Sequence, residues 1–219
     1  IIKSIDNYKY TDEHLKFVHI LEAINYLRVA GNMGKVLPQT YFEFGCHSGR
    51  TFSAAVNASI ALNMPQMKCF AFDSFVGLPE TSEIDDGIFK QGQFSTSRNQ
   101  FLKIVKKNTG KLIPSKHIIE GFYSMSLTKK LQDKMPKAGI VHIDVDLYSS
   151  TVDVLNFVTP LIVSGSVLIF DDWYAFPGGS KKGERKALEE FLQKNPKFSI
   201  ETWKSYSTFG KSFFITKLP

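Results

Sequence analysis

Apolar residues fall along this chain in two alternating rhythms. Short β-rich runs occur at 41–44, 68–72, 117–119, 139–144 and 166–170. Between them, apolar positions recur at helical spacing over about 12–30, 51–62, 98–107, 124–132, 149–162 and 182–193. In the first helix Leu15, Val18, Leu21 and the stretch from Ala23 to Leu27 mark the apolar positions, and Gly31 supplies the stop. Asn195 and Pro196 end the last helix. Two further runs, 198–203 and 211–215, read as a closing antiparallel pair. Strands alternating with helices predict an α/β fold: a Rossmann-like, doubly wound, mostly parallel sheet with helices on both faces. The whole of 1–219 reads as one domain, with an N-terminal helical segment over 1–38. Residues 77–94 and 173–180 lack periodicity and read as lid or acceptor loops.

Two of the strand runs end in acid. Ile140-Val141-His142-Ile143 leads into Asp144-Val145-Asp146, and Ser166-Val167-Leu168-Ile169-Phe170 leads into Asp171-Asp172. Buried parallel strands read as continuous apolar runs, and open α/β sheets bind ligands beyond the carboxyl ends of their strands. Neighbouring strands of this kind set four carboxylates on one rim. Such groups repel unless a positive charge sits among them, and an all-oxygen set suits Mg²⁺ or Ca²⁺.

A second rim feature is the turn Glu43-Phe44-Gly45-Cys46-His47-Ser48-Gly49-Arg50-Thr51. Its glycines permit a tight turn and close approach of a ligand to the backbone, and the helix start that follows can hold an anionic group. Asp73 ends the next strand, where an acid commonly takes ribose hydroxyls. The turn has neither the dinucleotide G-x-G-x-x-G spacing nor a Walker A lysine. A cofactor with a carboxylate and a ribose but no phosphate suits it, and S-adenosylmethionine is one.

Four strings carry a resemblance: Phe42-Glu43-Phe44-Gly45; Asp73-Ser74-Phe75-Val76-Gly77-Leu78-Pro79; the stretch from His142 through Asp144, Asp146 and Tyr148 to Thr151; and Gly165 through Trp173. With these the chain resembles class I S-adenosylmethionine-dependent methyltransferases and, more narrowly, the macrocin O-methyltransferase (TylF-like) family, over about residues 40 to 195. Gly165-Ser166 stands where that family usually has a Gly-Gly pair, and the N-terminal region is short. The resemblance implies an Mg²⁺-dependent O-methyltransferase of natural-product biosynthesis acting on a small hydroxylated acceptor, a sugar or glycosylated metabolite.

The roles it implies are these. Gly45 and Gly49 shape the turn under the methionine portion, Ser48 and Thr51 donate to its carboxylate, and Asp73 takes the ribose. Glu43 either binds the cofactor's amino group or is a buried strand-end acid. Gly121 and Phe122 stand where an adenine pocket lies. Asp144, Asp171 and Asp172 are the expected metal ligands, and Asp144 also borders the cofactor. Asp146 is the candidate general base, although Asp144 and Asp146 could exchange roles. His142 reads as a satisfied core histidine. Tyr148 and Trp173 are either acceptor-pocket or packing residues.

Two other readings compete. One is a catechol-like phenol O-methyltransferase, disfavoured by Asp171-Asp172 and by the lack of a lysine near Asp144. The other is a non-catalytic nucleic-acid- or ribosome-associated module using the net charge of +6. Lys and Arg are scattered among acids and no nucleic-acid-binding motif appears, so no nucleic acid is expected as a partner. No long apolar span appears, so no membrane partner is expected either. Cys46 and Cys69 are the two cysteines, outside any CxxC pairing. Free thiols fit a cytoplasmic protein. The chain opens on Ile1, which reads as a trimmed N-terminus, and the resemblance makes a homo-oligomer plausible.

Overall fold

The structure is a computed structural model and describes residues 12–81, 83–85, 88–176 and 181–218. Parts of both expected loops, residues 82, 86, 87 and 177–180, lie outside the described residues, as do 1–11.

The elements follow the predicted alternation. They are α1 (Asp12–Asn32), β1 (Thr40–Phe44), α2 (Arg50–Ala61), β2 (Lys68–Asp73), α3 (Arg98–Thr109), β3 (Ile118–Glu120), α4 (Tyr123–Ser126), α5 (Lys129–Gln132), β4 (Ala138–Ile143), α6 (Tyr148–Val158), β5 (Ile162–Phe170), α7 (Gly183–Lys194), β6 (Ser199–Tyr206) and β7 (Gly210–Lys217). They build one seven-stranded sheet of order β3-β2-β1-β4-β5-β7-β6. The first five strands pair in parallel, and β7 joins β5 and β6 antiparallel. The order reverses between β1 and β4, which is where an open α/β sheet leaves a crevice at its carboxyl edge.

Both faces of the sheet are covered. Strand alternation sends Tyr41, Ile140, Val167 and Ile169 to one side, against Ile20, Ala23, Ile24 and Leu27 of α1, Phe52 and Ala55 of α2, and Phe101 and Val105 of α3. Phe42, Phe44, Val141, Ile143, Leu168 and Phe170 face the other side, against Val154, Leu155 and Val158 of α6 and Leu188 and Phe191 of α7.

Four local expectations shift. The buried stripe of α1 is His19, Ile20, Ala23, Ile24, Leu27 and Ala30, whereas Leu15, Val18 and Leu21 are exposed. The expected helix over 124–132 breaks in two because the Thr128 hydroxyl caps a new start, accepting the Leu131 N–H at 3.2 Å. Helix α6 stops at Val158 rather than 162, since Pro160 has no N–H to continue the i→i−4 ladder after Thr159. Strand β5 consequently starts four residues early and passes through Gly165 at φ +94°.

Candidate active site

Backbone pairing runs one residue past several strand ends and lines up the rim. Gly45 N–H donates to Phe72 O at 2.9 Å, Asp144 N–H to Phe44 O at 2.9 Å, Asp171 N–H to Ile143 O at 2.9 Å, and Gly121 N–H to Asp73 O at 3.0 Å. Gly121, Asp73, Gly45, Asp144 and Asp171 therefore share one edge. A Cβ on Gly45 would stand 1.7 Å from the Asp144 carbonyl oxygen, and its φ is +81°. Only glycine lets these two strand ends meet so closely.

A cavity of about 460 Å³ opens on this edge. It is lined by Gly45, Asp73, Gly121, Phe122, Asp144, Asp146, Asp171 and Asp172, so most of the expected site residues converge there. In the half beside β2, Asp73 Oδ2 accepts the N–H groups of Cys46 at 2.7 Å and His47 at 2.9 Å, and Oδ1 accepts that of Phe75 at 2.7 Å. One carboxylate thus shapes both the glycine turn and the loop after β2.

Glu43, Ser48, Gly49 and Thr51 lie outside the cavity lining. Glu43 is fully buried, and it accepts hydrogen bonds from Thr51 Oγ1 at 2.9 Å and from the Tyr41 hydroxyl at 2.5 Å. These contacts are those of a buried, hydrogen-bonded acid near the end of β1. Gly49 is the residue before α2, at φ +73°.

The other half of the cavity is acidic. Burial, reinforced by Asp171 and Asp172, pushes the Asp144 carboxyl well above the usual range. Burial and the neighbouring Asp144 raise Asp146 to about 8. Burial, Asp146 and Asp171 raise Asp172, whose buried Oδ2 accepts no hydrogen bond among the described residues. Asp146 adopts a left-handed φ of +60° just past β4, a conformation that costs energy in a non-glycine residue and clusters at functional sites. Asp146 does not cap α6. That position is served by Asp85, whose Oδ1 accepts the Tyr148 N–H at 2.9 Å.

Asp171 differs from its neighbours. Burial raises its carboxyl, but His142 and Lys16 outweigh that and hold it below its ordinary value. Its Oδ1 accepts the Tyr206 hydroxyl at 3.0 Å, and its Oδ2 accepts the Lys16 ammonium. His142 is more than a core packing residue. Register sets it beside Glu43, its Nδ1 lies 2.8 Å from the Tyr41 hydroxyl, and its Nε2 faces Asp171 Oδ1 at 3.8 Å, an ionic contact rather than a hydrogen bond. Burial opposes its protonation, yet Asp171 and Glu43 raise it to about 10.

Three contributors have no signal in the sequence. Lys16 reaches the cavity from α1. Glu184, buried at the start of α7, accepts the Asp172 N–H at 2.9 Å and the Val145 N–H at 3.5 Å. Asp153, on α6, lines the cavity with its carboxyl raised by burial. Tyr148 and Trp173 pack into the core on the α6–α7 side, outside the cavity lining. The two expected loops meet where Phe89 and Phe176 pack edge to face at 6.1 Å.

Among the described residues, no three Asp, Glu, His or Cys side chains stand in a ready metal shell. The donor set nevertheless suits a hard cation. Its ligands are all oxygens, Asp172 Oδ2 lacks a partner, and Asp144, Asp146 and Asp172 are raised by want of counter-charge.

Solved structures share this fold. The O-methyltransferase NovP superposes with a TM-score of 0.72 at 17% identity, covering 93% of this chain and 80% of its own. The calicheamicin methyltransferase CalS11 gives 0.69 at 18%, covering 90% and 78%. TomG of Streptomyces achromogenes, solved with S-adenosylmethionine, gives 0.57 at 10%, covering 89% and 80%. At these identities the likeness is one of fold. No curated protein matches by sequence. A profile of the macrocin O-methyltransferase (TylF) family matches residues 30–199. The chain belongs to that family and is an S-adenosylmethionine-dependent O-methyltransferase.

Proposed function

We propose that the chain methylates a hydroxyl of a small, sugar-like acceptor, with Mg²⁺ assisting at the acid rim and Asp146 as general base. The observation that carries this reading is the joining of the Asp73–Gly45 turn and the Asp144–Asp146–Asp171–Asp172 cluster in one cavity. Family membership supports methyl transfer to oxygen. CalS11, one structural neighbour, is a TDP-rhamnose 3′-O-methyltransferase, which favours a sugar-like acceptor.

When bound, S-adenosylmethionine supplies the electrophilic methyl group, and a divalent cation lowers the pKa of the acceptor hydroxyl. The chain does the rest. Asp73 takes the ribose hydroxyls, Gly45 leaves room for the methionine portion, and Gly121 and Phe122 border the base. Asp144 and Asp172 would hold the cation, joined by Asp171. Asp146 accepts the hydroxyl proton while the cavity aligns the reactants for displacement. Acceptor selection falls to the segment around Leu78–Glu80, with Gln93 and Asp153, which line the remaining wall. Among the described residues no helix is long and apolar enough to cross a membrane. The buried free thiols of Cys46 and Cys69 favour a reducing, cytoplasmic setting.

Calorimetric titration with S-adenosylhomocysteine tests the reading. Micromolar binding that disappears in Asp73→Ala is expected. Well-folded protein that binds none of it would overturn the proposal.

A further inference from the structure

Lys16 is the only Lys or Arg in the cavity lining among the described residues. It projects from the second turn of α1, and its ammonium contacts Asp171 Oδ2. Its positive charge is strengthened by Asp171, Asp144 and Asp172 against the opposing effect of burial. Those three acids are the ones expected to bind metal. The other Asp171 oxygen is engaged by Tyr206 and faces His142, which leaves Oδ2, the oxygen that Lys16 holds, for any cation in the cavity. An ammonium and a divalent ion compete for one carboxylate oxygen, because like charges repel strongly where water is scarce.

Lys16 also has somewhere to go. Asp12, one turn earlier on α1, is half-buried and holds its Oδ2 3.8 Å from the same nitrogen, while its Oδ1 accepts the Thr208 N–H. The Lys16 side chain is 24% exposed, so its flexible stem has room toward that side. Among the described residues Asp172 Oδ2 has no hydrogen-bond partner, and a doubly charged ion would engage it.

The geometry points to Lys16 as a built-in rival of the divalent cation: it neutralises Asp171 until metal arrives, and metal binding requires it to turn away toward Asp12. This rests on the metal-assisted part of the proposed function. It makes Lys16 a positioning residue that sets metal affinity, placed by α1 and not by the strand ends.

The test is Mn²⁺ binding to the full chain, read by the electron paramagnetic resonance of free Mn²⁺ and by the Mn²⁺-induced rise in Tm. Lys16→Met should bind Mn²⁺ at least tenfold more tightly than the parent chain and gain more Tm from it. Lys16→Arg, which keeps the charge, should stay within about twofold of the parent. If Lys16→Met does not fold, Lys16→Gln, whose amide can still donate to Asp171, carries the same expectation. Equal or weaker Mn²⁺ affinity in the neutral variant would overturn the rivalry and leave the metal reading standing. No Mn²⁺ binding by any variant would overturn both, while cofactor binding in the calorimeter would still stand on its own.

Discussion

Glu184 Oε2 accepts the backbone N–H of Asp172 at 2.9 Å, while Oε1 of the same buried carboxyl faces the N–H of Val145 at 3.5 Å. One side chain at the start of α7 therefore ties together the two loops that carry the acid cluster. Removing an acceptor from buried N–H groups costs their desolvation, about 1–3 kcal/mol. Glu184→Ala is expected to lower stability by about that amount in urea unfolding. It should also lower kcat more than it weakens S-adenosylhomocysteine binding, since Asp73 and Gly45 are anchored elsewhere. An Ala variant with full turnover would show that the rim holds its shape unaided.

Asp146 as general base sets a sign for the pH dependence. With burial and Asp144 raising its carboxyl to about 8, the free enzyme holds the basic form only above that value. A cation bound among Asp144, Asp171 and Asp172 draws that value down, so kcat/KM, measured at saturating Mg²⁺ with acceptor in trace, should climb along a limb below about pH 8 and then level. Asp146→Asn should remove that limb and cut kcat by roughly 10²–10⁴-fold. A variant with an unchanged profile would move the base role to Asp144.

Gly45 offers a sharper test of the rim than any acid. Its left-handed φ and the 1.7 Å that would separate an added Cβ from the Asp144 carbonyl oxygen leave no room for a side chain. Gly45→Ala must push β1 and β4 apart at their ends, a strain expected to cost at least about 3 kcal/mol. The readout is the urea midpoint together with S-adenosylhomocysteine affinity, and both should fall. Gly31→Ala is the control, because nothing lies within 4 Å of its added Cβ.

The rim is legible in the sequence because each part of it is local. Apolar runs ending in Asp144 and Asp171, and a glycine turn one strand ahead of Asp73, announce a parallel sheet and its carboxyl edge within a few residues each. Lys16, Glu184 and Asp85 are not legible. Each reaches the site from a stretch that reads as a solvated helix start or an aperiodic loop, and only the fold brings Lys16 across 155 positions to Asp171. The Tyr41–Glu43–His142 row leaves a faint trace, polar residues two apart in an otherwise apolar strand. Its meaning depends on a register between β1 and β4 that the sequence does not state. The buried stripe of α1 departs from its apolar pattern because counting apolar residues treats exposed Leu15, Val18 and Leu21 as equal to Ile20 and Ile24 and overlooks a buried histidine.

That histidine gives a prediction about stability. His19 is 1% exposed, stacks on Tyr206 at 4.2 Å and packs beside Trp203, thereby docking α1 onto the antiparallel end of the sheet. Burial, aided by the charge of Lys204, lowers its pKa to about 4, from an ordinary 6.5. Between those values the unfolded chain binds a proton at this site that the folded chain refuses. The contribution of His19 to stability therefore rises with pH across about 4 to 6.5, while the raised carboxyls of Asp144, Asp146 and Asp172 pull the other way. The slope from this one group approaches ~1.4 kcal/mol per pH unit at most. Urea unfolding at about pH 5 and pH 7 isolates this contribution as the difference between the parent chain and a variant without the imidazole. His19→Phe, which keeps a ring against Tyr206 and cannot take up a proton, should gain on the parent chain at about pH 5 relative to pH 7. Parallel curves for the two chains would overturn the assignment to His19.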